Sequence, residues 1–81
     1  MIDSTTKKQI IAIQNKDSIS IQVYSWGDLA NLEDYLEDNL QIRIDSFKSI
    51  KDENGNEIGS EVFYKTTHSI ETIQNTIDEL E

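Results

Sequence analysis

Glu33 and Glu37, and likewise Asp34 and Asp38, stand four positions apart. On a helix that spacing places the side chains one turn from each other, with about 5–6 Å between their Cβ atoms. Such pairs do acid–base work only where a cleft holds the two groups in different environments and separates their pKa values. Nothing in the flanking sequence builds that cleft, so no catalytic residue is assigned and an enzyme is not expected. The same carboxylates would hold a hard cation weakly, because a calcium site needs about six to eight oxygens, most of them from a looped backbone. The one acidic loop, Asp52-Glu53-Asn54-Gly55-Asn56, departs from the calcium motif further on: Glu57 stands where glycine is needed and Phe63 where glutamate is needed. It reads as a hairpin turn. His68 is the single histidine and there is no cysteine, which excludes disulfides, thiolate chemistry and a Cys/His metal set. His68 therefore reads as a solvent-facing or capping residue. Gly27, Gly55 and Gly59 are scattered and form no phosphate-cradling loop, so no cofactor and no metal are expected.

What the acidic residues do share is position along the chain. Of 81 residues, 16 are Asp or Glu and seven are Lys or Arg, for a formal net charge of -9. By segment the net charge is +1 over residues 1–24, -5 over 25–40, -1 over 41–65 and -4 over 66–81. The second and fourth of these segments contain no Lys or Arg. A sequence pI near 4.3 is the reverse of the basic footprint that binds phosphate, so direct nucleic-acid binding is not expected. The same charge is repelled by anionic headgroups, and no apolar run approaches the roughly 18 residues that cross a bilayer. Met1 to Lys8 lacks the apolar stretch of a signal peptide, and the expected location is the cytoplasm. With 36% hydrophobic residues, 13 of them isoleucine, the chain is too apolar for the disordered class. Its length implies a single domain over residues 1–81, with residues 1–8 read as a flexible N-terminal tail.

The elements that carry these charges follow from periodicity. Gln9 to Gln14 is short and isoleucine-rich, and Ile19, Ile21 and Val23 alternate with polar residues, so two strands are expected with a turn at Asn15-Lys16-Asp17. Ser25 and Asp28 then form a Ser-x-x-Asp capping signal, with Tyr24 and Leu29 at the hydrophobic-staple positions. Leu29, Leu32, Leu36 and Leu40 make one stripe of a helix ending near Asn39 or Leu40, and Trp26 reads as a core or helix-start residue. Ile42 and Ile44 restart a two-residue period that runs to the Asp52–Asn56 turn, and Glu57 to Lys65 returns as the partner strand. A three-residue loop with Gly55 left-handed would pair Ile50 with Ile58, Ser46 with Val62 and Ile44 with Tyr64. That register turns Phe47 and Phe63 together onto the face away from the helices and leaves Lys48 on the apolar side. Ile70, Ile73, Ile77 and Leu80 form a second helical stripe, with Thr66, Thr67 or Ser69 as its N-cap.

The expected fold is therefore α+β, in the order ββαββα, a four-stranded antiparallel sheet with both helices on one face. Leu29, Leu32 and Leu36 recur 41 residues later as Ile70, Ile73 and Ile77, a spacing that admits an internal ββα duplication. On this fold the whole excess of negative charge lies on the two helices. Each like-charged pair at four-residue spacing is unfavourable by about 0.2–0.5 kcal/mol. Glu37, Asp38, Asp78, Glu79 and Glu81 also crowd helix C-termini, where the macrodipole favours cations. Violations of local rules of this kind mark function. Rows of carboxylates one turn apart on helices about 10 Å apart approximate the phosphate rows of a nucleic-acid backbone. The expected function is a small acidic protein-binding module, whose partner is a basic surface of a nucleic-acid-binding protein. Contacts are assigned to Asp28, Glu33, Asp34, Glu37, Asp38, Glu71, Asp78 and Glu79. In size, charge and lack of cysteine the chain resembles the class of small acidic phage-borne inhibitors of host defence or DNA-processing enzymes, which implies inhibition by nucleic-acid mimicry inside a bacterial host cell. An immunity protein for a basic toxin is a variant of this reading. The alternative is a structural or assembly subunit that forms a homodimer through the open sheet face and its Phe47 and Phe63.

Overall fold

The computed structural model describes residues 1–80. Six elements follow the expected order: β1 (Ala12–Gln14), β2 (Ile19–Val23), α1 (Trp26–Leu40), β3 (Ser46–Lys51), β4 (Glu57–Tyr64) and α2 (Ile70–Glu79). The strands form one antiparallel sheet in the order β1-β2-β4-β3. α1 begins at the expected Ser25 cap, and α2 at Ser69, one of its three candidates. The Ser25 hydroxyl accepts from the Asp28 N–H at 3.4 Å and the Ser69 hydroxyl from the Thr72 N–H at 3.1 Å. α1 ends on Gln41, left-handed at φ 56, whose N–H returns to Glu37 O at 2.9 Å. Leu29, Leu32 and Leu36 from α1 join Ile73 and Ile77 from α2 over Ile19, Ile21, Val23, Val62 and Tyr64 in one buried cluster. Both helices thus lie on the same face of the sheet, α2 against β1 and α1 against β2. In the central ladder Ile21 faces Val62. These residues are also 41 positions apart, the same spacing that separates the two helical stripes in the sequence.

The second hairpin corrects the expected register. Its turn is as expected: Gly55 has φ +82, and the Asp52 N–H donates to Asn56 O at 3.0 Å across a three-residue loop. Lys51 then faces Glu57, but the next pair is Ile50 with Gly59, so Ile58 is an extra residue in β4. This bulge slips the rest of the ladder by one: Phe47 faces Val62, Lys48 faces Glu61 and Ser46 faces Phe63. Phe47 consequently lies on the helix side and Phe63 on the open side, so the two aromatics do not form a common dimer face. The slip also moves Lys48 off the apolar side, and its ammonium stands 3.7 Å from the Glu61 carboxylate.

Three further expectations change. The strand expected to begin near Ile42 begins at Ser46; Ile42 is buried and Ile44 half-buried in an irregular approach, because both pack on the core rather than join a ladder. Trp26 starts α1 but is 67% exposed, not a core residue. Residues 1–8 are a packed turn rather than a flexible tail. Met1 is buried, its amino nitrogen donates to Ile77 O at 3.1 Å, and Ile2 bridges Gln9. The carboxylate of Asp3, 2% exposed, accepts from the backbone N–H groups of Thr5, Thr6 and Tyr24 at 2.8, 3.1 and 2.7 Å. Burial pushes its pKa up, but these three bonds together outweigh that and hold it below the usual aspartate value. No helix of the described residues is long and apolar enough to cross a membrane.

The acidic helix face and the groove beside it

The eight carboxylates assigned to partner binding fall into three groups. Asp34, Glu37 and Asp38 from α1 and Glu71, Asp78 and Glu79 from α2 are exposed. Because the helices pack side by side on one face of the sheet, these six share the solvent side of the helical layer. Tyr35 ties the two helices together, its hydroxyl donating to Glu79 Oε2 at 3.2 Å. Partial burial, then the bond to Glu79 and its charge, raises the Tyr35 pKa. The Asp78 carboxylate accepts from Gln9 Nε2 at 2.9 Å and Gln74 Nε2 at 3.0 Å, bonds that keep its pKa low. The Arg43 Nε donates to Glu37 Oε1 at 3.0 Å, and Arg43 is the only cation within ion-pair distance of any of the eight among the described residues.

Asp28 belongs to a second place. It faces the N-terminal turn, where its carboxylate accepts from the N–H and the hydroxyl of Ser4. The expected capping box is therefore half formed: Ser25 caps Asp28, and Asp28 is held by Ser4 instead of reaching back to Ser25. Glu81, which the charge pattern also placed at a helix C-terminus, lies outside the described residues.

Glu33 belongs to a third place. It is half-buried at the edge of α1 that faces β3 and has no hydrogen-bond or ion-pair partner among the described residues. Burial, then the charge of Asp34, raises its pKa. Here a groove runs between α1 and β3, because the helices sit over β1 and β2 and leave the helix side of β3 uncovered. One part of it, about 170 Å³, lies among Trp26, Leu29, Glu33, Ile44, Phe47 and Val62. The adjoining part, about 440 Å³, is lined by Glu33, Glu37, Ile42, Arg43, Ile44 and Tyr64. Trp26 and Phe47 are 67% and 68% exposed, although both are large aromatics.

The sequence did not single out this groove, although one signal was present. Trp26, Leu29 and Glu33 are spaced three and four apart and thus form a single line along the helix, which places Glu33 at the margin of the apolar stripe. His68, at the far end of α1, takes the capping alternative: its Nε2 lies 3.1 Å from Leu40 O. Among the described residues no three His, Asp or Glu side chains are close enough to share a metal ion. Comparison with family models, with curated proteins and with solved structures finds no match for the chain.

Proposed function

We propose that this protein is a small acidic binding module. The outer surface of its two helices docks on a basic protein surface of the kind that binds nucleic acid, and so occupies the place of a phosphate backbone. The observation that carries this reading is the shared solvent side of α1 and α2, where Asp34, Asp38 and Glu71 stand without a cationic partner among the described residues. Lys48 in β3 and Lys65 just after β4 stand 3.7 Å from Glu61 and Asp45, and neither pairs with a helix carboxylate. Carboxylates grouped this way steer a basic partner by long-range attraction and exclude other acidic ligands from it.

The test is capture from host lysate with two baits, the protein itself and an Asp34→Lys, Asp38→Lys, Glu71→Lys variant, followed by competition with a fluorescent DNA duplex for each captured protein. Capture that is lost on charge reversal and at raised salt, with the duplex displaced by the unmodified bait, is the expected result. Equal capture by both baits removes the reading.

A homodimer is the second reading, on a changed set of residues. The open sheet face carries Phe63, flanked by Ser20 and Ser46, with the exposed Ile13 opposite Ser20 in the next strand. Sedimentation of Phe63→Ser beside the unmodified protein separates this reading from the first, which needs no self-association.

A further inference from the structure

The buried hydroxyl of Tyr64 has no hydrogen-bond partner in the structure. Tyr64 is 1% exposed and is one of the residues lining the groove between α1 and β3, so its hydroxyl is withdrawn from bulk water behind the groove wall. A buried polar group left without a partner is unfavourable in the folded protein. Glu33, on the same groove wall, is a half-buried carboxylate with no protein donor among the described residues, so its oxygens are open to an incoming group. A few side chains away, Trp26 and Phe47 leave most of their surface exposed, and both line the neighbouring part of the groove. Exposed large aromatics beside unmade polar contacts characterise a recognition pocket, since tryptophan and other aromatics dominate binding energy where they become buried.

We propose that this groove receives an arginine-bearing, apolar segment of a partner protein, with the guanidinium entering between Glu33 and the Tyr64 hydroxyl and a neighbouring aliphatic side chain lying between Trp26 and Phe47. The guanidinium fits because it presents several N–H donors in one plane. It donates to a carboxylate and to a phenolic oxygen at once, while its flat face tolerates the apolar walls. A phosphate or carboxylate ligand is disfavoured by Glu33 and Glu37, and a purely apolar one leaves Glu33 and Tyr64 unpaired. Arg43 marks the same preference from within the chain: its guanidinium already bonds Glu37 at the far end of the groove, but its side chain is 82% exposed and leaves Glu33 free. On an extended segment, residues two apart lie about 6.6–6.8 Å from each other on one side. That is close to the rise of about 6 Å over the four residues from Leu29 to Glu33, which line the same part of the groove as Trp26 and Phe47. The inference rests on the partner being a basic protein, but locates its anchor outside the exposed helix surface.

The test is a heteronuclear NMR titration at about 150 mM salt, where charges beyond about 8 Å are screened. The probe is the capped tripeptide acetyl-Arg-Ser-Leu-amide, and its control the uncharged isostere acetyl-citrulline-Ser-Leu-amide. The expected result is saturable shifts of the Trp26 indole N–H and the Ile44 and Phe47 amides, with a Kd of roughly 1–10 mM, as befits a three-residue ligand. Binding should be at least fivefold weaker for the citrulline peptide, for Glu33→Gln and for Tyr64→Phe. Tyr64→Phe removes the orphaned hydroxyl without opening a cavity, so the variant should fold at least as stably as the parent, and its lost binding cannot be ascribed to unfolding. Arg43→Gln should leave binding equal or tighter.

Absence of saturable shifts, equal binding of the two peptides, or full binding by Tyr64→Phe overturns the inference. So does a titration whose shifts fall only on the outer residues Asp34, Asp38 and Glu71, an outcome that leaves the acidic-face reading standing. Conversely, equal lysate capture by the charge-reversed bait together with groove binding of the arginine peptide removes the acidic-face reading and keeps the groove.

Discussion

Asp3 shows how one side chain can convert a chain end into a structural part. Its two oxygens reach the N–H groups of Thr5 and Thr6 in its own turn and of Tyr24 at the junction of β2 and α1, so a single carboxylate closes the turn and fixes it to the core. Charge-assisted bonds to a buried carboxylate are worth about 1.5–3 kcal/mol each at the upper end, and truncation leaves three donors unpaired. Asp3→Ala should therefore lower stability by on the order of 3 kcal/mol in urea unfolding, and should release Ser4 from Asp28. The contrasting residue is Gly59, where the difficulty is space. A Cβ there would stand 2.8 Å from the Tyr24 ring and 2.9 Å from Val23 O. The carbonyl belongs to the backbone of the paired strand and cannot move aside without disturbing the ladder. Gly59→Ala should be destabilising by about 1–3 kcal/mol, read as a lower midpoint at unchanged denaturant slope.

The two helices were legible because each signal acts within a few residues. The leucine and isoleucine stripes, the Ser25 cap and the turn at Gly55 are all local and appear where the sequence puts them, and the second cap is Ser69, the last of the three candidates before its stripe. The misread elements depend on something non-local. One extra residue, Ile58, turns Phe47 from the open face to the helix side, and the period of two gives no warning of it because Phe47 and Phe63 each alternate correctly within their own strand. The N-terminal turn was illegible for the same reason, as Met1 meets Ile77 across 76 positions. The helices also keep the electrostatic flaw read from their sequence, with no basic residue in the last turn of either. Placing lysine at Asp38 should therefore stabilise the fold, by about 0.3–1 kcal/mol at low salt and less as salt is added. If that carboxylate serves recognition, the same variant should gain stability while losing partner capture. A variant that loses both stability and capture would place the acid in the fold rather than in recognition.

The charge of the assembled protein sets its response to pH, and the signs can be worked out group by group. Asp3 has a lowered pKa in the folded state, so its contribution is present above the usual aspartate value near 3.8 and is lost as pH falls through the lower folded value. Asp52 follows the same sign: its Oδ1 accepts from the Asn56 and Asn54 N–H groups, led by the Asn56 bond, and its pKa is lowered. Glu33 acts in reverse. Its folded pKa lies above the usual 4.5, chiefly through burial, so the folded state holds its proton more tightly than the unfolded chain. Stability consequently falls as pH rises from about 4.5 through the folded value, and the charge of -9 adds self-repulsion in the same direction. The stability maximum should thus lie below neutrality, above the acid limb set by Asp3 and Asp52. Urea unfolding from about pH 2 to 8 measures this, with Glu33→Gln alongside. The variant should flatten the decline just above pH 4.5 and leave the acid limb in place, whereas added salt should raise the neutral-pH side for both proteins. An unchanged decline in Glu33→Gln would mean that the groove carboxylate is solvated like any surface acid, and that bulk repulsion alone shapes the curve.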